Sequence, residues 1–174
     1  MANTYTLISS NVLSSSAASV TFSSIPSTYT DLVLRISSRQ ATANTTDEMV
    51  IKYNGIATTT YSSTTLNGQG STTYSSRASN GTYFGDLGVS QGNSTTASTF
   101  GSIEIYIPNY TVAANIQSSG MSAIENNSAT ANWVGTTAGL WRNNGPVSSI
   151  SMTAGSSSTF NSGSSFYLYG LKSS

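Results

Sequence analysis

Hydrophobic residues occupy every second position in several short runs of this sequence. Leu32, Leu34 and Ile36 share one face of the run 31–39, whereas Asp31, Val33 and Arg35 share the other. Ile103, Ile105 and Ile107 likewise alternate with Ser102, Glu104 and Tyr106. Near the C-terminus, Phe166 and Leu168 alternate with tyrosines. A period of two with β-branched and aromatic residues, bounded by Ser, Gly and Asn, is typical of half-buried β-strands. The pattern therefore predicts a fold made of strands.

Further runs of this kind extend the prediction over the whole chain. Together with the strands at 31–39, 102–107 and 166–171, they are Thr4–Ser9, Ser19–Phe22, Met49–Tyr53, Thr58–Leu66, Thr72–Arg77, Ser119–Glu125, Trp133–Thr137, Gly139–Arg142 and Ser148–Thr153. Turns are predicted between them at Asn54-Gly55, Asn67-Gly68, Asn80-Gly81, Asn143–Pro146 and Ser162-Gly163, because Asn-Gly supplies the positive φ angles of tight hairpins.

Helix signals are nearly absent from the sequence. The best helical segment, Ala123–Ala131, contains Asn-Asn-Ser and lacks an apolar stripe. We therefore predict an all-β fold, a single-domain antiparallel β-sandwich or jelly-roll-like structure with almost no helix. The domain is assigned to residues 25–174, and residues 1–24 are predicted to form a Ser-rich N-terminal arm or an edge strand. The polar segment 85–98 is predicted to be a long surface loop.

Charge is scarce and evenly balanced in this chain of 174 residues. There are six Lys and Arg against six Asp and Glu, with no His and no Cys, whereas 76 positions are Ser, Thr or Asn. Without His or Cys, the chain has no imidazole base, Ser-His-Asp triad or thiol nucleophile, and it lacks the usual zinc ligands. Six scattered cations form no basic face for nucleic acid, and no apolar run reaches the roughly 18 residues of a membrane span. We expect no cofactor and no metal.

Two groups of side chains merit weighing as chemical sites. A glycosidase needs two facing carboxylates, and Glu104 with Glu125 is a possible pair, although strand-borne acids more often pair with arginines such as Arg35 or Arg142. Asp47-Glu48 is interpreted as a solvated loop end. Tyr53, Tyr61, Tyr74 and Tyr83 could stack on sugars; the favoured alternative is a half-buried ring with a solvated hydroxyl. On this balance the protein is predicted not to be an enzyme.

Four segments carry a resemblance to a known family. They are Tyr29–Arg39 (YTDLVLRISSR), Phe100–Tyr110 (FGSIEIYIPNY), Ala138–Met152 (AGLWRNNGPVSSISM) and Ser164–Lys172 (SSFYLYGLK). These resemble small Ser/Thr-rich β structural proteins of tailed bacteriophages, notably phages of cyanobacteria and other aquatic bacteria. The resemblance covers most of the chain from about residue 25. It implies a virion protein, and it brings no active-site pattern.

The resemblance and the composition lead to two functional hypotheses. The first is a capsid decoration (cement) protein, a homotrimer that contacts the major capsid protein or another virion protein. The alternative is a receptor-binding tail-fibre or tail-tip module that recognises host surface polysaccharide. Either way the expected location is the virion, assembled in the host cytoplasm, with neither nucleic acid nor membrane as a partner.

The few charged side chains are the best candidates for an interface. Because charge is so rare, each of Arg35, Arg39, Glu104 and Arg142 is expected to have a specific partner, and we predict that these four residues make contacts between subunits. The functional surface of the first hypothesis is thus an interface rather than a pocket.

Overall fold

The computed structural model of the protein describes residues 5–127 and 132–172. These residues form twelve β-strands and no helix. The strands are β1 (Tyr5–Val12), β2 (Ser19–Phe22), β3 (Asp31–Ser38), β4 (Thr46–Tyr53), β5 (Tyr61–Gln69), β6 (Thr72–Gly81), β7 (Val89–Gln91), β8 (Gly101–Ile107), β9 (Ile116–Ile124), β10 (Trp133–Trp141), β11 (Ile150–Ala154) and β12 (Ser165–Leu171).

The strands form two antiparallel sheets packed face to face. The large sheet has the order β1-β12-β3-β8-β9-β10-β5-β6, and the small sheet has the order β2-β11-β4-β7. The prediction of an all-β sandwich in one domain is confirmed. In β3 the alternation read from the sequence matches the two faces of the strand: Leu32, Leu34 and Ile36 are buried between the sheets, whereas Arg35 is exposed.

The order of the strands is that of an enlarged jelly roll. When β1, β12 and the β9–β10 hairpin are set aside, the two sheets read β3-β8-β5-β6 and β2-β11-β4-β7. The chain crosses between the sheets from β2 to β3, β3 to β4, β4 to β5, β6 to β7 and β7 to β8. Two four-stranded antiparallel sheets with such crossings characterise the double-sheet jelly roll. The four additional strands widen only one of the two sheets.

The core lies between the sheets and contains a cluster of aromatic rings at one end. Tyr53, Tyr61, Phe84 and Trp141 are all nearly inaccessible to solvent. The Tyr61 and Phe84 ring centroids lie 4.9 Å apart at 84°, and Tyr53 meets Trp141 edge-on at 5.5 Å. Edge-to-face pairs of this kind are favourable beyond their buried area. The cluster therefore stabilises the end of the sandwich where β4, β5 and β10 meet.

The N-terminal segment supplies one edge strand to each sheet. β1 pairs with β12 along the outer edge of the large sheet, and β2 pairs with β11 in the small sheet. Leu13, Val20 and Phe22 belong to the buried core. Of the two options for residues 1–24, an arm or an edge strand, the described part takes the form of edge strands.

Some local predictions are wrong for identifiable reasons. The segment 85–98 contains strand β7, whose three residues are too few to show a period but pair with β4. Asn67-Gly68 is not a turn: both residues extend the ladder with β6, and the chain reverses after Gly70, whose φ is +59°. Residues 133–141 form one strand rather than two. The helical candidate 123–131 begins in β9, and residues 128–131 lie outside the described residues.

Candidate interaction surface

The large sheet presents one broad face away from the small sheet, which we call the outer face. Nine large hydrophobic side chains are exposed among the described residues, and seven of them project from this face. Those seven are Tyr5, Leu7, Val12, Leu66, Tyr106, Met121 and Val134. Their concentration on one face of an otherwise polar molecule marks that face as a candidate interaction surface.

Register places polar and aromatic side chains in a line across the centre of the outer face. Tyr167 on β12 lies opposite Arg35 on β3, and Arg35 lies opposite Glu104 on β8. The Arg35 Nε donates to Glu104 Oε2 at 3.1 Å, which is the one salt bridge found among the described residues. Cross-strand neighbours of opposite charge stabilise a sheet modestly. The pairing leaves this part of the face without net charge.

A group of three tyrosine rings lies beside Arg35 on the outer face. The Tyr5 ring lies under it, with 5.0 Å between the Arg35 Cζ and the ring centroid. Tyr5 also meets Tyr169 edge-on at 6.0 Å, and the Tyr167 and Tyr169 rings lie 6.4 Å apart within 26° of parallel. These rings were not singled out from the sequence. The signal was present, because Tyr167 and Tyr169 alternate with the buried Phe166 and Leu168.

Serines form a lower row beside this line of taller side chains. Three serines lie opposite one another on β12, β3 and β8, namely Ser165, Ser37 and Ser102. Each lies two residues along its strand from the corresponding member of the first row, Tyr167, Arg35 or Glu104, and therefore on the same face. The two rows border an open depression of about 450 Å³, which Tyr169 also lines. Its volume is that of a small-ligand site, although it is a shallow surface feature rather than an enclosed cavity.

Arg39 has a different environment from Arg35, although both were predicted to lie at an interface. Its side chain is only 6% exposed and lies within the loop that follows β7. The guanidinium donates to Asn93 Oδ1 at 2.9 Å, and to the carbonyl oxygens of Thr96 at 2.9 Å, Thr99 at 3.0 Å and Thr95 at 3.2 Å. These bonds are charge-assisted and satisfy the fork within the chain. The structure therefore places the partners of Arg39 within its own subunit, where it holds the loop in place.

Arg142 lies just after β10 and is exposed. Its Nη2 donates to the carbonyl oxygen of Thr59 at 3.0 Å and to Asn80 Oδ1 at 2.8 Å. These contacts join the loop before β5 to the end of β6. Arg142 is thus far from the Arg35–Glu104 pair along the sheet, and the structure brings together only two of the four predicted interface residues.

The carboxylates Glu104 and Glu125 do not face each other. Glu104 lies opposite Met121, and Glu125 is four residues farther along that chain, which corresponds to about 13 Å in an extended strand. Glu125 Oε1 instead accepts the backbone N–H groups of Asn126 and Asn127, at 3.0 and 2.7 Å. A pair of glycosidase carboxylates lies about 5–9.5 Å apart. The pair considered from the sequence is therefore not formed.

Two other acidic residues, Glu48 and Asp86, line a cleft of about 340 Å³ between β4, the end of β6 and the segment that follows β6. Glu48 is half-buried in β4 rather than solvated in a loop, and the Tyr83 hydroxyl donates to its Oε1 at 3.2 Å. Burial raises the pKa of Glu48, and the charges of Asp86 and Asp47 raise it further, whereas the bond from Tyr83 opposes the rise. The carboxylate of Glu48 thus opposes folding when it is ionised.

The four tyrosines considered as sugar-stacking residues differ in their exposure to solvent. Tyr53 and Tyr61 are fully buried, and even their hydroxyl groups are bonded within the protein, so neither is available to a ligand. Tyr83 is partly buried against Glu48. Only Tyr74 is largely exposed, on β6. The expected solvated hydroxyl is wrong for Tyr53 and Tyr61, because the core at that end is thick enough to enclose whole tyrosine side chains.

The fold and its surface define a class: a jelly-roll-type β-sandwich whose larger sheet carries an open outer face with few charged side chains. Within residues 5–127 and 132–172, no group of three or more acidic side chains is arranged to hold a metal ion. In the same residues, no helix of the length and apolar character needed to span a membrane is present. Comparison with protein-family models gives no match, and no curated protein matches the chain.

Proposed function

We propose that this protein is a structural component of a bacteriophage virion, namely a capsid decoration (cement) protein that stabilises the shell as a homo-oligomer. The jelly-roll order of its strands carries this proposal. Viral capsid domains commonly use this fold, although lectins and other proteins use it as well. The four segments that resemble phage structural proteins support the same assignment, since three of them coincide with β3, β8 and β12.

The surface chemistry suits a particle that must persist outside a cell. Hydroxyl and amide groups provide most of the hydrogen-bonding capacity, and they keep their state over a wide range of pH and salt. Arg35 and Glu104 neutralise each other, and the bonds of Arg39 lie inside the subunit. Contacts to a shell would therefore depend on shape, apolar area and neutral hydrogen bonds rather than on charge.

Self-association is supported by the outer edge of β6. All but the last of its ten residues are exposed, and no described strand pairs with its far side. The strand contains neither Pro nor Lys, the residues that commonly protect a free edge, and Arg77 is its one charged residue. A long, exposed edge with a single charged residue is a site where a strand of a second copy can pair. This gives the homo-oligomer a defined contact.

The location and copy number of the protein in purified virions test the proposal. We expect hundreds of copies per particle by quantitative mass spectrometry, distributed over the shell in immunogold images. We also expect particles that lack the protein to release DNA at a lower temperature than complete particles. A few copies confined to the tail would refute the decoration assignment and favour the receptor-binding alternative. Absence of the protein from virions would refute both.

A further inference from the structure

We propose that the row formed by Ser165, Ser37 and Ser102 on the outer face is a binding site for a neutral polysaccharide. Binding of a polysaccharide is a function separate from stabilisation of the shell, and it requires no particular position of the protein in the virion. It consists of a low row of small polar side chains along a wall of Tyr167, Arg35 and Glu104.

The shape of the row fits an extended polymer. Ala123 on β9 lies opposite Ser102 and continues the row of small residues to a fourth strand. Met121 lies opposite Glu104 and continues the wall. Four neighbouring strands span about 14 Å at ordinary spacing. The row is therefore long enough for several consecutive ligand units and is open at the surface along its length.

The chemistry of the wall fits the two sides of a sugar ring. A pyranose has a face of C–H groups and a rim of hydroxyl groups. The rings of Tyr167 and Tyr169, both bordering the depression, offer π faces to C–H groups. Serine hydroxyls both donate and accept, the Glu104 carboxylate accepts, and the guanidinium donates. Among the described residues, no acceptor is bonded to the Nη1 or Nη2 atom of Arg35, so these two donor groups are available to a ligand.

Charge favours a neutral ligand over an acidic one. Arg35 is the cation that lines the depression, and Glu104 already lies 3.1 Å from its Nε. An acidic polymer would have to compete with Glu104 for Arg35 and would approach that carboxylate at close range. A neutral polymer can use the pair as it stands, with donors on one side and acceptors on the other.

The wall is also held in position before any ligand arrives. Arg35 is fixed by the ion pair on one side and by the Tyr5 ring on the other. Tyr169 contacts both Tyr5 and Tyr167. Side chains that are ordered in advance lose less conformational freedom on binding, which benefits affinity.

A titration followed by backbone amide NMR tests the proposal. The probes are neutral hexasaccharides built of glucose, mannose or galactose, with hexagalacturonate as an acidic probe of equal length. We expect at least one neutral probe to shift the amides of residues 35, 37, 102, 104, 165 and 167. We expect Tyr167→Ala to weaken that binding about tenfold, and Tyr167→Phe, which keeps the ring, to retain most of it.

Tyr74→Ala is the matched control, because Tyr74 is an exposed tyrosine on β6, outside the depression. Thermal unfolding of each variant verifies that the fold is intact. The proposal is overturned if no neutral probe shifts the named amides at millimolar concentration, or if the shifts occur elsewhere. Binding of the acidic probe alone would also overturn it. So would shifts that depend only on protein concentration, because these would assign the face to a second copy of the chain.

Discussion

The hydroxyl groups of Tyr53 and Ser118 lie 2.8 Å apart in the buried layer between the two sheets and form a hydrogen bond that joins them. Tyr53 belongs to β4 of the small sheet and Ser118 to β9 of the large sheet. Both side chains are buried and have lost their bonds to water, and each hydroxyl is the hydrogen-bond partner of the other. The bond fixes the position of the small sheet over the β9–β10 hairpin that widens the jelly roll.

Removal of one hydroxyl should therefore be more harmful than removal of both. Tyr53→Phe leaves the Ser118 hydroxyl buried without this partner, and we expect the free energy of unfolding to fall by about 1–3 kcal/mol. Adding Ser118→Ala should restore part of that loss. Urea unfolding of the two single variants and the double variant measures the coupling. Strictly additive losses would show that the two hydroxyls do not interact.

Burial of the same tyrosines makes the fold sensitive to alkali. Burial raises the pKa of Tyr53 and of Tyr61, because the core disfavours the phenolate. In the unfolded chain these groups lose their protons near pH 10, whereas in the fold they keep them. Above pH 10 the folded state then binds more protons than the unfolded state, so stability decreases as the pH rises.

We expect the free energy of unfolding to decline above pH 10, by up to about 1.4 kcal/mol per pH unit for each such tyrosine. Urea unfolding at pH 8, 9, 10 and 11 measures the slope. Tyr53→Phe should make it shallower, whereas Tyr74→Phe, which alters an exposed tyrosine, serves as the control. A slope above pH 10 that is equal in wild type and Tyr53→Phe would contradict this account.

The cage around Arg39 predicts a large loss when the cation is removed. Arg39→Ala would remove the guanidinium donor from the carbonyl groups of Thr96 and Thr99 and would open a cavity under the loop, and we expect a loss of about 2–4 kcal/mol. Arg39→Lys keeps the charge but not the fork, so an intermediate loss is expected. Hydrogen exchange should localise the change to residues 92–100. Arg142→Ala, which removes an exposed arginine, is the comparison and should cost less than about 1 kcal/mol.

The sequence predicts those parts of the molecule in which a pattern of two coincides with burial. The strands at 31–38 and 101–107 are clear because one side of each is almost wholly Leu or Ile. β7 is not predicted from the sequence, because its strand conformation depends on pairing with β4 and its own three residues carry no strand pattern. The turn at Gly70 is missed because Asn67-Gly68 has the stronger local signal, and two further pairs with β6 outweigh it.

The candidate surface is less predictable because it depends on register. Neighbouring strands bring Tyr167, Arg35 and Glu104 into one line although they are far apart in sequence. Arg35 and Arg39 look equivalent in the sequence, because they are four residues apart in one predicted strand, 31–39. One points to the outer face, and the other enters a loop that folds over it. Burial of Tyr53 and Tyr61 similarly depends on Phe84, which comes from a segment without a strand pattern.

The free edge of β6 predicts the effect of a single added charge on assembly. A lysine on an edge strand discourages pairing because its charge would have to be desolvated between two copies. We expect Ser75→Lys to shift the purified protein from oligomer to monomer in light scattering coupled to size exclusion. Thr153→Lys is the control, since Thr153 is exposed on β11 in the interior of the small sheet. An unchanged oligomer with Ser75→Lys would show that β6 is not the contact.

The raised pKa of Glu48 predicts that mild acid stabilises this fold. Its carboxyl group binds a proton more readily in the folded state than in the unfolded chain, because the fold partly buries it near Asp86 and Asp47. As the pH falls through the folded-state pKa, the folded state gains the proton first and stability rises. The gain ends near pH 4, where the unfolded chain is protonated as well.

Glu48→Gln, which keeps an acceptor for the Tyr83 hydroxyl, should exceed the wild type in thermal midpoint at pH 7 and match it at pH 4. Glu104→Gln, on the exposed ion pair, controls for the loss of a carboxylate and should lower stability at pH 7 by less than about 1 kcal/mol. A midpoint for Glu48→Gln at pH 7 at or below that of the wild type would mean that Tyr83 stabilises the Glu48 carboxylate more than burial opposes it.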